Sequence, residues 1–443
     1  MAGKAIKYPL AQFSKRGLSA QVLAKQAQSS SSPDVNCTVL PNKFLVSTLD
    51  IGGPLSRITI AFKAGPRNEM ENNLGVTHVI RSMTGFSTEK CTGFALVRNL
   101  QQNGIHFTCS GDREVTSYSI VASRNKINCA LKYLGAAAAT PAFKPWQVAD
   151  NVPRIKYEIG SLTPQARVMD TLHKACYRTG LGNSLFVPQE YIGKQTSEML
   201  KNFYSEGFTA NRGSLAAYNV DHNDMLEFAR GLELSPGEAP VGNSKYFGGE
   251  IRRNTDSCFA HVAVATQGVG SSDIKESLVL SVLQYAYGVK PSIIWGGSPS
   301  PLYKATHCIA PDSGVACFNI NYTDSGLFGV MISGFADSCG KAVEAAVKVI
   351  KSASVSSADT NRAKAMLKME ILNCSETTEG ILEDMAVQSL SGGVVVPALV
   401  LAEAIDKITH ADVSEAAKRI ARGKFSLAAE GDLRKIPYLD ELP

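Results

Sequence analysis

No two of the ten cysteines form a C-x-x-C pair, and no two of the seven histidines stand three or four residues apart. Zinc fingers and H-E-x-x-H peptidase helices need those spacings, so both are excluded. Haem and iron–sulfur ligand spacings are missing as well. There is no G-x-x-x-x-G-K-[ST] phosphate loop, and no Ser-His-Asp or Cys-His order stands out. The glycines of Gly326 to Gly334 alternate like a strand and read as structural. The most apolar uncharged run late in the chain, Gly392 to Leu401, is about half of the roughly 20 residues that span a bilayer. Membrane association would therefore come through partners.

Acid is missing from residues 1–33, which carry Lys4, Lys7, Lys15, Arg16 and Lys25; the first carboxylate is Asp34. The remainder holds 40 basic and 40 acidic residues. A neutral body offers no basic surface for nucleic acid. The basic segment is rich in serine near its end and sets Ile6, Leu10 and Phe13 at helical spacing, the composition of a mitochondrial transit peptide. In that setting the cysteines are expected to be reduced, buried, apolar residues.

At 443 residues the chain is expected to hold more than one domain. Lys43 to Thr48 and Arg57 to Phe62 read as strands, and Asn72 or Asn73 offers an N-cap to a helix. In that helix Val76, Val79, Ile80 and Met83 form a stripe at 3.6 spacing. A second helix runs past Phe94, Val97 and Leu100 to Asn103-Gly104, and alternation from Ile105 to Ala122 predicts a hairpin. Helices are expected over 125–140, 146–178, 191–204 and 222–233, with a buried strand at 214–218. Residues 234–249 begin with turn formers and read as a linker.

After the linker the grammar repeats. Strand and helix follow in matched order, and Ser214-Leu215-Ala216-Ala217 recurs as Ser426-Leu427-Ala428-Ala429, 212 residues on. The expected architecture is α+β, with two tandem homologous domains at 36–233 and 250–443, each a mainly antiparallel sheet packed with helices into a bowl.

One stretch carries a chemical history. Gly75-Val76-Thr77-His78-Val79-Ile80-Arg81-Ser82 has the frame of an inverted H-x-x-E-H zinc helix, in which two histidines ligate the metal and a glutamate handles the proton of its bound water. His78 stands at the first histidine, Arg81 at the glutamate and Ser82 at the second histidine. A guanidinium repels zinc and takes no proton, and a serine hydroxyl is a poor ligand. This helix should hydrolyse nothing.

From about Asn36 to the end, the chain resembles the pitrilysin-type peptidase family, and within it the mitochondrial branch of processing-peptidase subunits and cytochrome bc1 core proteins. In active members a glutamate far beyond the second histidine completes the zinc site; here seventy-five residues lie between Ser82 and Glu158. By that resemblance His78, Arg81, Ser82 and Glu158 mark a degenerate former zinc site, with Glu158 on a helix continuing toward Leu172-His173. The pair is expected to hold no metal: Arg81 or another cation should pair with Glu158, and His78 should bond locally. Trp295-Gly296-Gly297-Ser298-Pro299-Ser300-Pro301 is short and stiff, unlike the glycine-rich loop of the processing peptidase's substrate-binding subunit. Phe318 to Gly329 looks like a second-half signature common to the family and does not discriminate. The resemblance thus implies a non-catalytic bc1 core subunit without cofactor or metal, on the matrix side of the mitochondrial inner membrane. Its implied partners are core protein 1, cytochrome b, cytochrome c1 and the iron–sulfur subunit in a dimeric complex. A substrate-binding processing-peptidase subunit is the alternative, and a stand-alone zinc peptidase comes last.

Overall fold

The computed structural model describes residues 35–237, 244–289, 300–392 and 395–443. The presequence-like segment before Val35, the middle of the linker and most of the Trp295 loop lie outside the described residues.

The chain forms two compact units. The first is built on a six-stranded sheet of β1 (Asn36–Val39), β2 (Leu45–Leu49), β3 (Leu55–Phe62), β4 (His106–Gly111), β5 (Thr116–Ser123) and β6 (Gly213–Tyr218), ordered β1-β2-β6-β3-β5-β4. Only the β2–β6 pairing is parallel. The second unit holds β7 (Glu250–Asn254), β8 (Phe259–Gln267), β9 (Gly314–Asn321), β10 (Gly326–Phe335) and β11 (Ser426–Gly431), ordered β7-β11-β8-β10-β9, again with one parallel pairing, β7 with β11. Leaving out β1, the two orders are the same. The two Ser-Leu-Ala-Ala segments occupy equivalent strands, β6 and β11, each buried throughout. Small side chains suit strands covered on both faces.

In the first unit one sheet face, with Val46, Ile58, Ile60, Phe62 and Leu215, packs on helices. These are α1 (Val76–Ser82), α2 (Gly93–Gln102) and α3 (Ile127–Ala139), then α4 (Pro145–Asp150) and α5 (Val152–Gly160); α6 (Pro164–Tyr177), next along the chain, adds no residue to this core, which α7 (Ser197–Gly207) and α8 (His222–Arg230) complete. All four stripe residues of α1 are buried in that core. Each such burial contributes roughly 1.5–3 kcal/mol, which holds a helix too short to be stable alone.

The second unit continues with α9 (Ile274–Tyr287), α10 (Pro301–His307), α11 (Ala336–Ser352), α12 (Ser357–Glu376), α13 (Thr378–Gly392), α14 (Ala398–Asp406) and α15 (His410–Arg422). One of these does not stay there. Residues 374–396, with α13, belong to the first unit. Leu382, Met385 and Ala386 cover Leu49, Ala61, Ala216 and Tyr218 on the outer face of the first sheet. Ser389 Oγ meets Ser47 Oγ at 3.1 Å, and Ser214 Oγ donates to Ala386 O at 3.2 Å. A second domain running unbroken over 250–443 therefore does not describe the packing. A sheet apolar on both faces needs two covers, and the second comes from far along the chain.

Other boundaries differ for local reasons. The helix expected over 146–178 is three, broken at Asn151 and at Ser161–Thr163, where Thr163 caps α6 through Ala166 N. Glu158 thus sits near the end of α5, not on a helix continuing to His173. The helix expected at 191–204 starts only at Ser197, capped by Thr196. Asn73 does not cap α1; its Oδ1 accepts from Met70 N. Among the described residues no helix is long and apolar enough to cross a membrane.

Candidate functional site

Helix α1 begins at Gly75 with φ +83°, a conformation that favours glycine. A Cβ there would also lie 2.8 Å from the Val187 backbone, so Gly75 lets the segment 183–187 cross closely. The free amides of the first turn are met by Glu69. Its carboxylate accepts from Gly75 N at 2.7 Å, Thr77 N at 2.8 Å and Thr77 Oγ1 at 2.6 Å. A remote acid thus does the work of an N-cap and complements the helix dipole. Burial pushes this carboxyl up to about 7, while its three donors and Arg81 pull it down.

The polar face of α1 is engaged by the protein's own groups. Val187 N donates to His78 Nδ1 at 3.1 Å. An accepting Nδ1 carries no proton, so Nε2 bears it and donates to Glu158 Oε2 at 3.2 Å. The Phe186 ring stands edge-on to the imidazole with centroids 5.4 Å apart. Burial lowers the His78 pKa, and the Arg81 and Arg154 charges add to that while Glu158 opposes it. His78 is therefore neutral, with its tautomer fixed by a backbone amide. Glu158 also takes Arg154 Nε at 2.9 Å, and its pKa is lowered, first by the His78 hydrogen bond and then by Arg154.

Arg81 points elsewhere. Its guanidinium donates to Leu185 O and, at 3.5 Å, to Gly111 O, stapling the β4 end and the crossing segment to α1. A Cβ at residue 111 would lie 2.6 Å from Arg81 Cδ, so glycine makes room for the arginine. Ser82 Oγ donates to Val79 O at 2.9 Å and accepts from Asn151 Nδ2 at 2.6 Å.

The structure thus brings together His78 and Glu158, and leaves Arg81 and Ser82 with other partners. The cation on Glu158 is Arg154. Its place four residues before the acid on one helix was a readable signal. Glu69, Asn151 and Val187 carried no such pattern, because their contacts join separate elements.

These residues do not fit a zinc ion. A neutral imidazole ligating through Nε2 carries its proton on Nδ1, where Val187 N–H already points. A guanidinium fills the place of the acid, and Ser82 is spent on Asn151. Among the described residues no group of three or more His, Cys, Asp or Glu side chains is arranged to hold a metal.

Residues 45–189 match the family described as "Insulinase (Peptidase family M16)", and residues 194–367 match "Peptidase M16 inactive domain". The chain is 34% identical over 424 residues to a human protein named "Cytochrome b-c1 complex subunit 2, mitochondrial", spanning 92% of each. It is 28% identical over 420 residues to an Arabidopsis thaliana protein named "Probable mitochondrial-processing peptidase subunit alpha-1, mitochondrial", covering 91% of this chain and 83% of that one. Among solved structures, a chain of "Complex III2 from Candida albicans, Inz-5 bound" superposes with a TM-score of 0.78 at 18% identity, over 92% of this chain and 98% of that one. At that identity the likeness speaks for the fold alone.

Proposed function

The chain belongs to the M16 peptidase family, and from that premise we propose that it is a non-catalytic core subunit of the mitochondrial ubiquinol–cytochrome c reductase. In this role it supports assembly and stability of the complex and transfers no electrons itself. Its partners are core protein 1, cytochrome b, cytochrome c1 and the iron–sulfur subunit in the dimeric complex. It is a mitochondrial protein, peripheral to the membrane, and we place it on the matrix face of the inner membrane.

One observation carries the loss of catalysis. At the position where a peptidase of this family keeps its proton-shuttling glutamate, Arg81 is fastened to Leu185 O and Gly111 O. A guanidinium cannot serve as a general base at any ordinary pH. We read His78, Arg81, Ser82 and Glu158 together as what is left of the zinc site. The domain plan we retain is a leader before residue 36, an N-terminal peptidase-like domain, a linker at 234–249 and a C-terminal domain that lends residues 374–396 to the first.

Affinity-tagged chain, extracted in mild detergent and run on a native gel, should migrate with cytochrome b. Purification instead with a partner carrying an intact H-x-x-E-H, together with restored presequence cleavage, would sink this reading. That outcome would favour a processing-peptidase subunit, the reading to which the Arabidopsis relative lends support.

A further inference from the structure

The chain contains a single Asn-Gly sequence, Asn103-Gly104, and the structure sets it at the C-terminal end of α2. Asparagine followed by glycine is a pair in which a chain attacks itself. The backbone nitrogen of the second residue adds to the side-chain carbonyl carbon of the first, and glycine has no Cβ to obstruct the approach. Gly104 is exposed, and a Cβ built on it would meet nothing within 4 Å among the described residues. Gln101 and Gln102 beside it are exposed as well, so water reaches the pair freely.

The fold holds this pair short of reaction. Asn103 caps α2 with ψ 3°, and Gly104 follows in the left-handed region at φ +66°. Gly104 N donates to Gln101 O at 3.1 Å and Ile105 N to Leu100 O at 2.9 Å, the two bonds of a Schellman cap. Leu100 and Ile105 are buried together in the core beneath it. Asn103 Nδ2 is spent as well, donating to Asn99 O at 2.8 Å. For the ring to close, the Gly104 nitrogen must leave Gln101 and turn toward Asn103 Cγ, while the Asn103 amide leaves Asn99. Those bonds lie in the last turn of an exposed helix end, where helices fray first.

We propose that Asn103 is a self-modification site, deamidated at a rate set by fraying of the last turn of α2. The Gly104 nitrogen bonds to Asn103 Cγ, the Cγ–Nδ2 bond breaks, and Nδ2 leaves as ammonia with the proton that Gly104 N gives up. The five-membered imide then takes up one water. Attack at Cγ restores the main chain and leaves an aspartate; attack at the main-chain carbonyl leaves an isoaspartate, with the chain rerouted through Cβ and Cγ. Either product undoes the cap. A carboxylate has no proton to give Asn99 O, and negative charge at a helix C-terminus opposes the dipole. The isoaspartate also lengthens the main chain and shifts Gly104 and Ile105 out of register with Gln101 and Leu100. The site is independent of the zinc relic and of the role proposed for the subunit.

The test ages the folded full-length chain in mildly alkaline water enriched in heavy oxygen, beside a sample kept in urea, and maps both by peptide mass spectrometry. Labelled oxygen should enter at Asn103 ahead of every other asparagine. The folded sample should react about ten- to a hundredfold more slowly than the one in urea, the worth of the two hydrogen bonds that must open. Asn103→Gln keeps a side-chain amide but no longer favours a five-membered ring, and should take up no label at this position. Asn103→Asp, which copies one product, should speed amide exchange at Gly104 and Ile105 about tenfold, as should ageing of the parent chain. No uptake in the folded sample, or uptake first at another asparagine, overturns the proposal. Equal rates in the folded and urea samples overturn the control by α2. Unchanged exchange at Gly104 and Ile105, in both Asn103→Asp and the aged chain, overturns the loss of the cap.

Discussion

Rebuilding the zinc ligands by Arg81→Glu with Ser82→His supplies the residue types of an active site, yet zinc should bind poorly. Metal on His78 Nε2 drives the proton to Nδ1, so two buried donors, Nδ1–H and Val187 N–H, face each other. Each unsatisfied buried group costs about 1–3 kcal/mol. Replacing Ser82 also strips Asn151 Nδ2 of its acceptor, at a similar cost. The facing donors amount to about 2–6 kcal/mol, or roughly one and a half to four powers of ten in affinity, while the Asn151 loss weakens the free and the zinc-bound variant alike. The assay is chelator competition for zinc, comparing the double variant with a triple variant that adds Val187→Pro. Proline lacks the offending N–H, so the triple variant should recover about 1–3 kcal/mol and bind about five- to a hundredfold more tightly. Equal affinities in the two proteins would refute the tautomer argument. No zinc in either would show that Glu158 does not occupy a ligand position.

Other perturbations test the same framework. The Glu69 carboxyl is raised from an ordinary 4.5 to about 7, so the folded state holds its proton more tightly than the unfolded chain. Its contribution to stability is fully present below pH 4.5 and is lost as pH rises to about 7, roughly 3 kcal/mol in all. Denaturant titrations of wild type and Glu69→Gln should therefore differ in slope across that window; a constant difference would show the carboxyl is not raised. Met385 is 2% exposed, and Met385→Ala should cost about 2–5 kcal/mol, read as faster amide exchange in β3 and β6. Protection unchanged in those strands would mean that α13 does not cover the sheet. Gly111→Ala should destabilise by about 1–3 kcal/mol through its clash with Arg81, and Arg81→Ala in the same chain should recover part of it, since the two are in contact. Strict additivity would count against that contact.

The periodic features were legible because periodicity is local. The Val76, Val79, Ile80 and Met83 stripe, the β4–β5 hairpin and the repeated Ser-Leu-Ala-Ala strands all follow from side-chain spacing along one element. Glu158 was placed by the resemblance, which sets a glutamate that far beyond the Ser82 position, and the structure puts it 3.2 Å from His78. Arg154 was missed although its i, i+4 spacing was available. Glu69 as a cap, Val187 as the arbiter of a tautomer and Leu185 as the seat of Arg81 were out of reach. Each joins a backbone group to a side chain across a loop, and no spacing rule encodes such a meeting. The breaks at Asn151 and Ser161–Thr163 were readable, since Pro153 and Pro164 stand in the first turns of α5 and α6, where proline starts a helix and does not continue one.

The loan of residues 374–396 sets an order of events in time. A ribosome or an import channel delivers the first 245 residues long before α13, so the sheet carrying Ala61, Ala216 and Tyr218 emerges with one side bare. That side closes only through a contact spanning more than 150 residues, which makes the last step of maturing the first unit slow and dependent on the whole second half. A nonsense mutation or a proteolytic nick before Cys374 therefore damages the half of the molecule that it leaves intact in sequence. During synthesis and import, this open face is the surface most in need of a chaperone.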